Sequence, residues 1–357
     1  MSDLQFELVA AAFKVALLIG SLLGIFSGMT YVERRVLAFM QFRLGPNRVG
    51  PQGILQPVAD GIKLFFKEEV MPAGANAFAF YAAPVLSVAA ALMAIAVVPY
   101  GPPLQLFGRR VQLQIADLDV GVLYILAITS LGVYGVVLAG WSANSKYPLL
   151  GGLRSSAQMF SYELALGLSW VGVIMLAGSF RMNDIVDDQA GWFWNWNAFL
   201  TRQFVAFLIY FIAAAAEVSR TPFDLPEGET ELVAGFHTEY SSMKFALIQM
   251  AEYINMITIA VLCTNLFLGG WHSGFPGILP STLSRLGFLP EWLRVLPIPG
   301  FAYFSLKVAA LLFVFIWLRG TLPRFRYDRL MHFGWKRLIP LAMLNILATS
   351  GVLAFRS

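Results

Sequence analysis

Long apolar runs dominate this chain and constrain it more than any other feature. A helix needs about 20 mostly apolar residues to cross the roughly 30 Å hydrocarbon core of a bilayer. Eight segments qualify: 8–32, 78–100, 119–141, 158–178, 201–218, 244–268, 301–319 and 337–354. The intervals are too short for a soluble domain, so residues 1–357 are expected to form a single all-α integral membrane domain. Only 13% of residues are charged and 58% are hydrophobic, which excludes a disordered chain. The sole cysteine, Cys263, cannot pair within the chain. Neither can it hold an iron–sulfur cluster or a structural zinc alone. His237, His272 and His332 lack metal-ligand spacing, so no metal site or redox cofactor is expected on this chain. With Asp3 and Glu7 in its flank and a long apolar run, the first span is not expected to be a cleavable signal.

Lysine and arginine set the orientation. The odd-numbered connections (33–77, 142–157, 219–243 and 320–336), with Lys244, Arg319 and Arg337 at their rims, carry 16 of the 25 basic residues. These loops are expected in the cytoplasm, which with eight spans puts both termini outside. Lys14 and Lys307 fall about 9 Å inside the outer ends of their spans and are expected to snorkel back to the interface. Trp192, Trp194 and Trp196 suit an aromatic belt beside the fifth span.

Three carboxylates interrupt the spans: Glu163 in the fourth, Glu217 in the fifth and Glu252 in the sixth. A charge there costs at least ~2.5–3.5 kcal/mol on insertion scales, which makes each a functional candidate. Counted along the helices, Glu217 lies at the cytoplasmic end, Glu163 about 8 Å in and Glu252 about 12 Å in. If the spans are neighbours, this is a ladder suited to a proton relay, with Ser161, Tyr162, Tyr253, Asn255 and Thr258 as polar partners. The structural alternative leaves each acid neutral, or paired with a basic group of another chain. Loop 219–240 adds Asp224, Glu227, Glu229, Glu231 and Glu239, with Arg220 its one basic residue. Pro222 and Pro226 stop helix continuation, and acids so close titrate as a coupled set. One reading is a solvated loop or a divalent-cation site. The interleaved Phe223, Leu225, Leu232, Val233 and Phe236 favour a loop packed against something.

In the first odd loop, Gly45-Pro46 and Gly50-Pro51 flank Asn47-Arg48, a pattern for a defined turn. It is not a phosphate loop, because Gly-Lys-Ser/Thr is missing. Residues 53–67 are expected to form an amphipathic helix in the interface plane. Ile54, Val58, Ile62 and Phe65 share one face, and Gln56, Asp60, Lys63 and Lys67 the other. Such a helix either tiles the membrane surface or also floors a docked soluble subunit. The basic, aromatic loop 319–337 suits lipid phosphates and an acidic partner equally.

These loops, in this order, resemble the H-subunit family of bacterial respiratory complex I, whose mitochondrial counterpart is subunit 1 of NADH dehydrogenase. The likeness rests on Tyr31-Val32-Glu33-Arg34-Arg35 with Gly45-Pro46-Asn47, then Leu55-Gln56-Pro57 and Asp60-Gly61-Ile62-Lys63. It continues in Glu217, Arg220-Thr221-Pro222-Phe223-Asp224-Leu225, Glu227-Gly228-Glu229 and Glu231-Leu232-Val233. Ser161-Tyr162-Glu163, Ala251-Glu252-Tyr253 and Pro323-Arg324-Phe325-Arg326-Tyr327-Asp328 complete it, over residues 8 to 350. Spans two to six also resemble the five-helix unit of antiporter-like subunits.

The resemblance implies a membrane-arm subunit of a proton-pumping NADH:quinone oxidoreductase in the bacterial inner membrane. A protein of that kind lacks independent activity and forms much of the quinone-access chamber beside the hydrophilic arm. Carried over, Glu33, Arg34, Arg43, Asp60, Lys63, Phe223, Asp224 and Phe236 would line or flank that chamber. Glu227, Glu229 and Glu231 would couple it to Glu217, Glu163 and Glu252. No catalytic or metal-ligating residue is implied on this chain. Quinone would be the substrate, with FMN and iron–sulfur clusters on partner subunits. The implied partners are the hydrophilic-arm quinone-site subunits, the small and antiporter-like membrane subunits, and membrane lipid. An alternative is the anchor subunit of a related membrane-bound hydrogenase or formate hydrogenlyase. Arg34, Arg43 and Asp60 beside an intact 220–233 loop favour the quinone enzyme. A free-standing proton-coupled transporter would leave the structured cytoplasmic loops without a purpose.

Overall fold

The computed structural model describes residues 3–106, 109–200, 202–224, 233–275 and 298–356. Its helices are α1 (Asp3–Met40), α2 (Gln56–Phe66), α3 (Ala77–Ala94, continued by a 3-10 turn to Val97) and α4 (Gly121–Ser142). Then come α5 (Lys146–Ala177), α6 (Met182–Asp188), α7 (Phe204–Glu217) and α8 (Ser242–Phe267). Last are α9 (Ile298–Thr321), α10 (Tyr327–Phe333), a π-helical turn at Gly334–Leu338, and α11 (Ile339–Arg356). Between α3 and α4 lies a small antiparallel ribbon, β1 (Leu104–Leu106) against β2 (Arg109–Val111), with Leu104 opposite Val111. Among the described residues the architecture is otherwise helical.

Seven helical stretches among the described residues are long and apolar enough to span a membrane: Val9–Met40, Ala77–Val97, Gly121–Ser142, Lys146–Ala177, Ser242–Phe267, Gly300–Thr321 and Tyr327–Phe355. This is a multi-pass membrane protein. The eighth expected span, 201–218, is the 14-residue α7, about 21 Å long and shorter than a hydrocarbon core. Its start is held by side chains instead of further helix. Buried Gln203 donates to Thr349 Oγ1 at 2.8 Å and accepts from Asn345 Nδ2 at 2.7 Å, and Asn197 Nδ2 donates to the Leu266 carbonyl at 2.9 Å. Non-helical backbone is tolerated at such depth where protein supplies its partners.

Two expected loops are partly helix. Segment 142–157 turns helical at Lys146, with Pro148 in the first turn, where a missing N–H costs nothing. The loop expected from residue 33 begins only after Met40. Consequently α1 (38 residues) and α5 (32 residues) outreach a bilayer, at about 57 and 48 Å.

Packing places α8 at the centre, against α1, α2, α3, α6, α7 and α9, while α3, α4 and α5 pack in succession and α5 also meets α7 and α11. Small residues permit the closest approaches. A Cβ on Gly151 would lie 2.8 Å from the backbone of Gly235 and Phe236, so the segment preceding α8 rests directly on α5. The peripheral helices turn Phe13, Leu17, Leu306 and Leu347 outward, as contact with lipid tails requires. Both intramembrane lysines reach backbone carbonyls: Lys14 Nζ that of Gln114 at 3.1 Å, and Lys307 Nζ those of Leu268, Gly270 and His272 at 2.6, 3.0 and 2.6 Å. All three ammonium donors of Lys307 are thereby used, and its charge lies 4.1 Å from the Trp196 ring centre. Trp192 and Trp194 stack on each other at 5.3 Å.

Candidate functional site

A buried carboxylate organises one end of the helix assembly. Glu33, on α1, is 4% exposed. Its Oε2 accepts the Tyr253 hydroxyl of α8 at 2.9 Å, and its Oε1 accepts from Arg319 of α9. Arg220, just beyond α7, brings Nη1 to 3.6 Å of the same Oε1 and lays its guanidinium 4.4 Å over the Tyr253 ring. An ionised buried carboxylate is tolerable when paired and hydrogen-bonded, and two guanidiniums with one hydroxyl provide that. Four segments thus converge on one anion.

One residue further along α1, Arg34 points outward to a separate pair. Its Nη1 lies 2.5 Å from Asp60 Oδ2 on α2, and Gln56 Nε2 donates to Asp60 Oδ1 at 3.0 Å. The loop between them is laced to the end of α1: Tyr31 Oη donates to the Gln52 carbonyl at 2.9 Å, and Arg35 to those of Pro46 and Gln52 at 3.2 and 3.0 Å. Gly53 has φ +81°, and a Cβ there would fall 2.1 Å from the Pro46 carbonyl oxygen, which is why α2 starts at Gln56 and not at residue 53. Ile54, Val58, Ile62 and Phe65 are all more than half exposed. Arg43 and Lys63 are exposed too.

Beyond the far end of α2, Ser242 Oγ donates to the Leu64 carbonyl at 3.0 Å, and the Val70 amide donates to Ser241 Oγ at 3.1 Å. Lys244 pairs with Glu69 and caps the Phe80 and Tyr81 rings. The first loop and the start of α8 are therefore one connected unit.

Glu217 and Glu252 face a common cavity of about 50 Å³, walled also by Ser87, Asn255 and Phe236. A second of about 30 Å³ follows, bounded by Glu217, Asn255, Thr258, Thr129 and Tyr210. Each exceeds the ~10–15 Å³ that one water needs. Glu163 lies on α5, accepts the Ser130 hydroxyl of α4, and stands close enough to Glu217 for their charges to interact. The acids therefore gather around these cavities instead of ranking by depth. Counting from residue 158 misplaces Glu163, because α5 begins at Lys146.

Of the expected chamber residues, the structure joins Arg34 to Asp60 directly and buries Glu33, Phe223 and Phe236. Phe223 stacks on Phe325 at 5.6 Å, and Phe236 forms part of the first cavity wall. Asp224 is partly buried at the edge of the described chain. Glu227, Glu229 and Glu231 lie outside the described residues. Arg220 and Arg319 entered the sequence reading only as charges that orient the chain. Tyr253 entered only as a hydroxyl near the acids. A charge at the very end of an apolar run is the one signal that could have marked them. Among the described residues no cluster of three or more His, Cys, Asp or Glu could hold a metal ion.

Fold and site together define a multi-pass membrane protein with a buried ionic cluster and small acid-lined cavities. A sequence profile of the family described as NADH dehydrogenase matches residues 13–350, and the chain belongs to that family. Among its relatives, the second of two H-type subunits of NADH-quinone oxidoreductase in Koribacter versatilis is 50% identical over 366 residues, all of both chains. The first H-type subunit of the Geobacter metallireducens enzyme is 50% identical over 356 residues, again covering both chains fully. Its namesake in Geobacter sulfurreducens is 51% identical over 92% of this chain and 90% of its own.

Proposed function

We propose that this chain is the membrane-arm subunit of a proton-pumping NADH:quinone oxidoreductase, a single membrane domain without activity of its own. Its odd-numbered loops would form the docking surface for the hydrophilic arm and much of the quinone chamber. Glu33, Arg34, Arg43, Asp60, Lys63, Phe223, Asp224 and Phe236 would line or flank that chamber. Quinone is the substrate, and FMN and iron–sulfur clusters belong to partner subunits. Small and antiporter-like subunits would receive the coupled protons.

One observation carries this reading. Arg220, paired with the buried Glu33, follows Glu217 of the cavity wall by only three residues. A change of charge on the quinone side thus has a short covalent path to the cavity acids, and a bistable charged element of this kind is what converts a local event into a distant one. Glu227, Glu229 and Glu231 would feel the quinone chemistry first, and Glu217, Glu163 and Glu252 would pass protons onward.

The exposed apolar face of α2 supports an interfacial position. α7 supports an eighth crossing: Asn197 before it reaches Leu266 of α8, its Tyr210 reaches the Ile259 carbonyl, and Arg220 after it covers Tyr253. It therefore runs antiparallel to α8 and links the two faces. Both termini then lie outside the inner membrane.

The test is to tag the chain, extract it in mild detergent and assay NADH oxidation with a short-chain quinone. Co-purification of a many-subunit assembly with inhibitor-sensitive quinone reduction is expected. An assembly that evolves or consumes hydrogen without quinone would identify the related hydrogenase anchor. A lone chain from intact membranes would sink both.

A further inference from the structure

Gln158 of α5 is fully buried, one turn before Tyr162. Its Nε2 donates twice, to the Ala216 carbonyl at 2.7 Å and to the Phe223 carbonyl at 2.8 Å. Two carbonyl partners can be met only by the NH2 end of the amide, which fixes its orientation. The acceptors bracket the segment between the two sites: Ala216 precedes Glu217, and Phe223 precedes Asp224. Gln158 Oε1 is buried with no hydrogen-bond partner, so the side chain bears a desolvation cost to make these two bonds. Within the bracket the Phe223 amide donates to the Arg220 carbonyl at 2.8 Å, and the Phe325 amide donates to the Pro222 carbonyl at 3.0 Å.

We propose that Gln158 is a positioning residue for energy coupling. It closes segment 216–223 into a rigid stirrup, so that a change at the Arg220–Glu33 end moves Glu217 instead of being absorbed by slack backbone. This rests on the relay reading above. Coupling between sites needs an element with defined arrangements, and two bonds from one side chain remove the loop's freedom to deform elsewhere. Loss of the clamp leaves the Glu33 cluster in place, so quinone reduction continues while pumping per quinone falls.

The test uses membrane vesicles carrying the whole assembly. Gln158→Met removes both donors at similar volume. The expected result is unchanged NADH:ferricyanide activity, short-chain quinone reduction within about twofold of the parent, and protons pumped per quinone lowered by at least about threefold. Gln158→Glu has one O–H when protonated and can serve one carbonyl, so its pumping ratio should climb as pH is lowered, unlike the parent's. A parental pumping ratio in Gln158→Met overturns the proposal. So does an equal loss of reduction and pumping, which would make Gln158 a support of the chamber alone. If neither variant assembles, hydrogen exchange on the unaltered complex decides. Amides 218–221 and 223 should exchange as slowly as the last turn of α7, and exchange at open-loop rates removes the clamp. Glu217→Gln separates the two ideas. If it abolishes pumping while Gln158→Met does not, the relay stands and the clamp falls. If it leaves pumping intact, the relay falls and the exchange rates alone judge the clamp.

Discussion

The Tyr253 hydroxyl donates to Glu33 Oε2 at 2.9 Å across 220 residues of sequence, tying the middle of α8 to α1. The bond matters because the Glu33 carboxylate is also the anchor for Arg319 and Arg220.

Tyr253→Phe deletes one hydrogen bond to a buried charged group, worth roughly 1.5–3 kcal/mol. Glu33→Ala strands two guanidiniums and should cost more, on the order of 3–5 kcal/mol. Thermal inactivation of quinone reductase activity should therefore fall in the order parent, Tyr253→Phe, Glu33→Ala. Equal midpoints for all three would show that the cluster supports neither fold nor function.

Glu227→Gln and Glu229→Gln are expected to lower inhibitor-sensitive quinone reduction by at least about twofold while NADH:ferricyanide activity shows the assembly intact. Normal turnover in both variants would remove the acidic loop from the coupling path.

Gly53→Ala drives a methyl group to 2.1 Å of the Pro46 carbonyl oxygen at a φ of +81°. Backbone strain of this kind costs roughly 1–3 kcal/mol, so limited proteolysis should cut the loop before α2 faster than in the parent. Gly61, inside α2, has nothing within 4 Å of its added Cβ, and Gly61→Ala should stabilise that helix by about 1 kcal/mol. Opposite responses at two glycines eight residues apart make the pair its own control.

Away from the spans, Asp117 accepts a bidentate bond from Arg181, and that guanidinium holds its carboxyl at about 2. A depressed pKa in the fold stabilises above the unfolded value, near 3.9. The contribution of Asp117 is thus complete above a pH of about 4 and disappears as pH falls towards 2. Acid unfolding midpoints should move upward in Asp117→Asn, and an unchanged acid limb would show that the pair contributes nothing.

Much of the fold was legible because apolar runs report lipid contact, and α3, α4, α8, α9 and α11 all follow such runs. The first turns of α5 escaped that signal. Lys146, Arg154, Ser155, Ser156 and Gln158 read as a loop by hydropathy, yet Ser155, Ser156 and Gln158 are buried against protein and not lipid. The shortness of α7 was hidden for a related reason, since Gln203 and Asn197 find their partners on other helices. In the site, the acids were conspicuous as charges inside apolar segments. Their partners were not: Arg319 and Glu33 are 286 residues apart, and no local spacing connects them.

The great length of α5 has a further result. Along one rigid rod, Arg154 lies over Tyr327, Gln158 meets Ala216 and Phe223, Ser161 accepts from Trp335, Tyr162 donates to Leu330, and Glu163 accepts from Ser130. These neighbours surround the rod on several sides. Inserting or deleting a single amino acid upstream would swing every one of these side chains by about 100° and slide them about 1.5 Å. Substitutions on the outward side of α5 disturb one contact each, whereas a change in its length miskeys the whole lock at once, so gaps in this stretch of the gene should be lethal to the assembly long before scattered replacements are.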